Sequence, residues 1–436
     1  MLEGVALGLA GLGFALFLIV LHVPIGVALG TGGIAGFALL AGWPAALSLA
    51  GTEPVSVIQN LDLAVIPLFL LMGELAARAG LATDLYSAAH AILGHRRGGL
   101  ALATIGGCAA FGSVCGSGIA TAATFGRIAL PEMARRGYEP GFAAGTVAAG
   151  GTLGIMIPPS VIMVIYAALT EQFISELFVA AIVPGILAVA GYAVAAIIAV
   201  RINPSIAPQA EPMPWSDRLG AVTRAWGVMF LAILVIGGIY GGWFTPNEAA
   251  AVGVMVALAF AVLRRQLTLA NLADTLMNAA GSTAMVYVLI IGASIFSYFL
   301  TATKVPQFLV ASIGSLGWPP LAIIAAILLL YIILGAVFDE VAALVLTIPF
   351  VLPVIKTLGY DLVWWGIINV VIIEIGMICP PIGINVFVIH GMRPGGSLVG
   401  IYRGIMPFLL ADFGRLGLLT AFPVLTLWTL RLWKGV

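Results

Sequence analysis

Gly151-Thr152-Leu153-Gly154-Ile155-Met156-Ile157-Pro158-Pro159 and Ile373-Glu374-Ile375-Gly376-Met377-Ile378-Cys379-Pro380-Pro381 are the two stretches on which the fold turns. Each places a glycine four residues ahead of a proline pair, inside a long apolar run. Proline has no N–H to give and pushes the residue before it out of helical backbone. Both runs therefore read as helices that break partway. At membrane depth, irregular backbone survives only where it is buried in protein or lines a cavity. Interrupted hydrophobic segments at matching places in two halves point to the binding site of a secondary transporter.

The match extends outward in one register. Pro158 and Pro380 lie 222 positions apart, and the same offset pairs Gly154 with Gly376, Gly137 with Gly359, Tyr138 with Tyr360 and Pro131 with Pro353. Farther out it pairs Ala120 with Ala342, Ala28 with Ala250 and Pro24 with Pro246. The halves share few identical residues, so the repeat rests on glycines and prolines, whose backbone demands are special.

Composition sets the solvent. Hydrophobic residues make up 62% of the 436 and charged residues 8%, with a mean hydropathy of +1.17, which is the balance of a polytopic membrane protein. Formal net charge is zero, so no nucleic-acid partner is expected. The 54 glycines suit close helix packing in lipid. Cys108, Cys115 and Cys379 show neither metal-ligand spacing nor a disulfide framework. Met1-Leu2-Glu3-Gly4 lacks the basic region of a cleaved signal, so the first apolar run reads as a retained span.

A span needs about 20 apolar residues. Such spans are predicted near 4–21, 25–42, 61–79, 139–171 (broken), 176–200, 226–243, 246–263, 277–303, 361–391 (broken) and 404–432. Residues 99–130 and 319–352 carry a break at mid-length, at Gly112-Ser113-Val114-Cys115-Gly116-Ser117-Gly118 and Gly335-Ala336-Val337-Phe338-Asp339-Glu340, and read as re-entrant helical hairpins. The expected architecture is an all-α polytopic membrane protein with an inverted repeat, 1–200 and 226–436. A cytoplasmic connector at 201–225, with Pro204, Pro208, Pro212 and Pro214, joins the halves. Counting crossings puts twelve arginines between Arg78 and Arg403 on one face and Lys304, Lys356 and Lys434 on the other. The positive-inside rule makes the arginine face cytoplasmic and both chain ends extracytoplasmic.

Freed carbonyls and hydroxyls at a helix break can replace the water shell of a small cation, while half-helix N-termini favour an anion. Ser113, Gly116 and Ser117 of the first tip face Gly151, Thr152, Gly154, Ile157 and Pro158 of the first break. Gly335 and Asp339 of the second tip face Gly376, Ile378, Cys379 and Pro380. Uncharged hard oxygens suit a monovalent cation, so at least two sodium sites are expected, with no transition metal and no cofactor. A substrate would lie between them, near Ser117, Thr121, Asp339 and Asn385. An intramembrane carboxylate such as Asp339 or Glu340 is functional by default. Glu374 could carry a proton, cap a broken helix or orient the tip. The four histidines show no metal spacing. A serine hydrolase would need a base near Ser113 or Ser117, and His90 and His95 fall beside cytoplasmic arginines.

The run 112–121, the run 151–160, Glu374 to Gly383 and Phe244-Thr245-Pro246-Asn247-Glu248-Ala249-Ala250 together resemble the large membrane subunit of TRAP transporters over nearly the whole chain. Cys379 departs from the threonine common there, which removes a hydroxyl from the second cation site. The resemblance implies sodium-driven import of an organic acid by an elevator motion. It also implies a small four-helix membrane subunit and a periplasmic binding protein as partners, in the bacterial inner membrane. A stand-alone carboxylate or ion transporter of the same superfamily is the competing reading.

Overall fold

In a computed structural model, residues 2–209, 214–393 and 396–435 are described, and their regular structure is entirely helical. Pro212 of the connector lies outside the described residues. The chain opens with α1 (Leu2–Val20), α2 (Ile25–Ala41), α3 (Trp43–Gln59), α4 (Val65–Arg78) and α5 (Leu81–Leu93). The first hairpin is α6 (Gly99–Cys115) and α7 (Gly118–Arg135), and the first broken helix is α8 (Pro140–Met156) and α9 (Val161–Thr170), bent by 40°. Then come α10 (Ile174–Ala180) and α11 (Ile182–Ile202), and in the connector a 3₁₀ turn and α12 (Trp215–Arg224). The second half runs α13 (Trp226–Tyr240), α14 (Pro246–Leu263), α15 (Leu269–Ala302) and α16 (Val305–Ser315). Its hairpin is α17 (Pro320–Gly335) and α18 (Glu340–Thr357), and its broken helix is α19 (Leu362–Ile378) and α20 (Ile384–Gly391). It closes with α21 (Leu398–Ala421) and α22 (Val424–Lys434). Among the described residues six helical stretches are long and apolar enough to cross a membrane, or nine if each bent pair is one span.

The repeat is written into helix boundaries and caps. Shifted by 222, the bounds of α7 and α8 become those of α18 and α19. Glu139 caps α8 by accepting from Gly141 N (2.9 Å) and Phe142 N (2.5 Å), and Asp361, its equivalent, caps α19 through Val363 N (2.8 Å) and Trp364 N (3.0 Å). These carboxylates satisfy N–H groups that a helix start leaves without partners. Gly137 and Gly359 precede them with φ of 73° and 76°, a left-handed turn that glycine adopts without steric cost. Both Pro158–Pro159 and Pro380–Pro381 are cis.

The two broken helices form the centre. Every residue of α8 from Gly141 and of α19 from Val363 onward is buried. The two pack on each other, α8 also against α6, α7 and α21, and α19 against α17, α18 and α21. Lipid tails are as apolar as leucine, so this centre is held by close packing and interhelical hydrogen bonds rather than by expulsion from water. One such bond joins the halves, Tyr166 Oη donating to Leu362 O at 2.7 Å.

Several sequence expectations are corrected. The span predicted at 61–79 holds the single helix α4, but the sequence reading placed no helix at α3 or α5, which flank it; the α4–α5 bend is 63°. Polar residues on α3 (Thr52, Glu53, Gln59) and α5 (Thr83, Asp84, His90) lower their hydropathy below that of a span. The helix α16 was too short to register as one. The last predicted span, 404–432, is two helices parted at Phe422 and Pro423, where proline cannot continue the hydrogen-bond ladder.

Candidate functional site

Each hairpin tip rests on a broken helix through a pair of glycines. A Cβ on Gly112 of α6 would come within 2.6 Å of Gly154 Cα on α8, and a Cβ on Gly376 of α19 within 2.7 Å of Gly335 Cα on α17. No larger residue permits this spacing. At the break itself, Pro158 and Pro159 cannot donate to the carbonyls of Gly154 and Ile155, nor Pro380 and Pro381 to those of Gly376 and Met377. The same pair of carbonyls thus loses its helical donors in each half. Gly376 O keeps only a long contact from Cys379 N at 3.4 Å.

At the first junction the chain gathers most of the predicted oxygens. Gly116 ends α6 with φ of 65°, and its carbonyl accepts from Val161 N at 3.2 Å, which ties the tip to the start of α9. Ser117 is the N-cap of α7, its Oγ accepting from Ala120 N at 3.4 Å, while its carbonyl accepts Thr121 Oγ1 at 2.8 Å. Ser113 Oγ donates to Ala110 O at 2.7 Å, leaving its lone pairs free. A Cβ on Gly154 would meet Thr121 Oγ1 at 2.6 Å and Ser117 O at 2.7 Å, and one on Gly151 would meet Ala122 Cβ at 2.5 Å. Ile157 ends α8 in extended backbone ahead of Pro158.

Thr152 is not part of this gathering. Its hydroxyl donates to Ala149 O (2.8 Å) and lies 3.1 Å from Tyr192 Oη. At the second junction Asp339 caps α18, Oδ1 accepting from Val341 N (3.0 Å) and Ala342 N (2.9 Å), at the position equivalent to Ser117. Ile378 closes α19 buried, Cys379 is the C-cap and Pro380 is exposed. Asn385 reaches into the other half, where Nδ2 donates to Ala148 O at 3.1 Å.

The surroundings of two acids that the sequence singled out were not legible in it. Glu340 points its buried, unpartnered Oε2 at the opposite hairpin, 3.5 Å from where a Cβ of Gly118 would stand. Glu340 and Gly118 occupy equivalent positions of the repeat, so equivalent residues of the two tips meet. Likewise Glu374, equivalent to Thr152, sits in a buried group with Asp412, Arg415 and Tyr192. The polar residues of α21 were readable, at Asp412 and Arg415 one helical turn apart, but nothing in the sequence brought them to α19.

Two helical hairpins seated on two broken helices define a polytopic transporter fold. The solved YdaH transporter of Alcanivorax borkumensis shares it, with a TM-score of 0.62 at 16% identity over 95% of this chain and 98% of that one. MtrF of Neisseria gonorrhoeae gives 0.60 at 11% identity, over 88% and 85%. Residues 12–425 match the family described as "Tripartite ATP-independent periplasmic transporter, DctM component", and the chain belongs to it, as a TRAP transporter large permease subunit. It is 36% identical to the C4-dicarboxylate large permease DctM of Pseudomonas aeruginosa, over 87% of this chain and 88% of the relative. It is also 33% identical to the ectoine/5-hydroxyectoine large permease UehC of Ruegeria pomeroyi (94% and 95%) and 30% identical to the sialic acid large permease SiaM of Vibrio cholerae (89% and 91%).

Proposed function

We propose that this permease imports an organic acid by sodium-coupled secondary transport, with the two hairpin–break junctions holding sodium and the substrate lying between the tips. The observation that carries the reading is the junction built twice: paired glycines, a proline pair that strips two carbonyls of donors, and an oxygen-bearing N-cap, Ser117 or Asp339. Uncommitted carbonyls and hydroxyls are ligands for a hard monovalent cation. The relatives are named for C4-dicarboxylates, ectoines and sialic acid, which all carry a carboxylate, so an organic acid is the substrate class proposed here.

In this reading the two halves are inverted in the inner membrane, with both chain ends on the periplasmic side and the arginine-rich face in the cytoplasm. Hairpins and broken helices move together as an elevator. A small four-helix membrane subunit and a periplasmic binding protein complete the system. Thermal unfolding of the purified membrane complex in sodium against equimolar choline tests the coupling, since a ligand of the folded state alone raises its stability by mass action. A sodium-specific rise, reduced in Ser117→Ala and in Asp339→Asn, is expected. Equal stability in the two salts at saturating concentration would remove sodium from the mechanism. Uptake into vesicles only when a binding protein is supplied would separate the tripartite reading from a stand-alone transporter.

A further inference from the structure

Three arginines of the arginine-rich face surround a cavity of about 460 Å³ that the transport reading leaves unused, a size within the about 300–1,000 Å³ of ligand pockets. Arg96 and Arg97 lie in the turn between α5 and α6, and Arg201 lies in the last turn of α11. Gly98 brings the two together. Its φ of 72° suits glycine, and a Cβ there would stand 3.0 Å from Val200 Cγ2 on α11. Leu102, Ile197 and Val200 form the apolar wall, and among the described residues no acid lines the cavity. Elsewhere on the same face Arg135 and Arg136 pair with Glu132, Arg264 pairs with Asp84, and Arg393 donates to Pro140 O at 2.8 Å. Arg96, Arg97 and Arg201 are exposed and, among the described residues, form no ion pair.

The helix beside the cavity says what fills it. Ile174–Ile202, which ends at Arg201 and Ile202, is a 29-residue apolar stretch long enough to cross a membrane. On it Val194, Ile197 and Ile198 stand exposed by 53%, 39% and 50%, and with Arg201 they fall at i, i+3, i+4 and i+7, one stripe of the helix. An exposed apolar stripe on a spanning helix faces acyl chains, and a basic residue at its end reaches headgroup depth. A guanidinium presents a planar fork of donors that matches phosphate oxygens. We propose that this cavity binds the phosphate headgroup of an anionic phospholipid, whose acyl chains lie along the α11 stripe. A zwitterionic lipid would bring its own ammonium to a cavity that already holds three cations, and a soluble phosphate would gain nothing from the apolar wall. Basic pockets between membrane helices on the cytoplasmic side favour such headgroups. Because α6 is the first leg of the first hairpin, the lipid ties the foot of that hairpin to α11. The choice of the cytoplasmic leaflet rests on the topology proposed above, and the binding itself does not.

Thermal unfolding of the purified membrane complex, stripped of lipid in neutral detergent, is followed against added phosphatidylglycerol, phosphatidylcholine of the same chains, or glycerol phosphate. A ligand of the folded state raises the unfolding temperature by mass action, and phosphatidylglycerol alone should do so. An arginine near anionic headgroups is worth about fivefold in affinity. Arg96→Gln, Arg97→Gln and Arg201→Gln should therefore each raise the half-saturating mole fraction of phosphatidylglycerol about fivefold. None of these substitutions breaks an ion pair among the described residues, and any one of them suffices if another does not fold. Arg135→Gln takes a charge from the same face outside the cavity and should leave the value unchanged. If it shifted the value as far, or if no cavity variant shifted it, the lipid would be answering the charge of the whole face and the proposal would fall. An equal rise with glycerol phosphate would make the cavity a site for a soluble anion and overturn it. So would a complex that phosphatidylglycerol does not stabilise, and release of the small subunit by the cavity variants would then give the cavity to an acidic segment of that partner. Sodium and substrate are absent throughout, so the outcome is independent of the transport reading.

Discussion

Replacing Gly154 by alanine separates a packing contact from an ion site held at one spacing. The added Cβ would stand 2.6 Å from Thr121 Oγ1 and 2.7 Å from Ser117 O, where ordinary contact begins at 3.4 Å. The backbone carbonyl cannot rotate away, so the tip must retreat by about 0.7 Å, the difference between those two distances. Overpacking of this kind costs about 1–3 kcal/mol. Alanine returns about 1 kcal/mol of helix propensity, which leaves a net loss of about 0–2 kcal/mol. Gly106 on α6, with nothing within 4 Å of its Cβ position, is the matched control, and Gly106→Ala should gain about 1 kcal/mol. The larger effect is on sodium. Saturation at a hundred times the dissociation constant stabilises a folded protein by about 2.7 kcal/mol, and a tip displaced by a large fraction of an ångström should forfeit most of the first site's share. Thermal unfolding in sodium and in choline measures both quantities at once. If Gly154→Ala lost the same stability in each salt and kept the whole sodium increment, the junction would be packing alone and the first site would lie elsewhere.

The hairpin caps can be removed singly. Ser117→Ala and Asp339→Ala should each cost about 0.5–2 kcal/mol through the lost N-cap, and Asp339→Ser should restore most of it, as read from unfolding in choline, where no sodium contributes. In the buried cluster, Arg415→Leu strands two carboxylates and should cost about 3–5 kcal/mol, seen as a loss of folded yield. Tyr192→Phe removes a hydrogen bond to a charged group, together with the 3.1 Å contact to Thr152 Oγ1, and should cost about 1.5–3 kcal/mol by the same unfolding measurement.

Much of this architecture was legible because proline and glycine act locally. A proline pair deletes two donors wherever it sits, so the breaks at 157–159 and 379–381 followed from the residues alone, as did the pairing of Gly154 with Gly376. The hairpins followed from small or acidic residues in the middle of apolar runs. Helices that are neither long nor uniformly apolar were lost: α3 carries Glu53, and α16 is too short to span. Side-chain direction was the other blind spot. Thr152 lies one turn from oxygens at the first tip, yet its hydroxyl turns to Tyr192; Asn385 donates to Ala148 in the other half rather than to its own tip. Facing across a helix bundle depends on rotation about each axis, which one residue of drift changes by about 100°. Asp412 and Arg415 stand one turn apart on α21, and only tertiary packing shows them closed on Glu374.

At the tips and breaks the halves share a backbone and differ in charge, the second half being the acidic one. Ser117, Gly118 and Thr152 in the first half stand where Asp339, Glu340 and Glu374 stand in the second. Asp412 and Arg415 fall opposite Ala190 and Ala193, so the cation that Arg415 adds lies beside Glu374 and not at the tip. The second tip therefore holds two acidic side chains without a bonded cation among the described residues, Asp339 accepting from backbone N–H groups through Oδ1 and Glu340 Oε2 having no partner. Opposite charges attract more strongly inside a protein than in water, so a cation should bind the second junction more tightly than the first, whose oxygens are all neutral. Asp339→Asn removes that charge while leaving an oxygen to cap α18, and Ser117→Ala removes no charge at all. Titrating sodium against thermal stability should then show a larger rise in half-saturating concentration for Asp339→Asn than for Ser117→Ala. Equal rises would mean that the bared carbonyls, common to both halves, set the affinity and that the acids of the second tip serve the substrate instead.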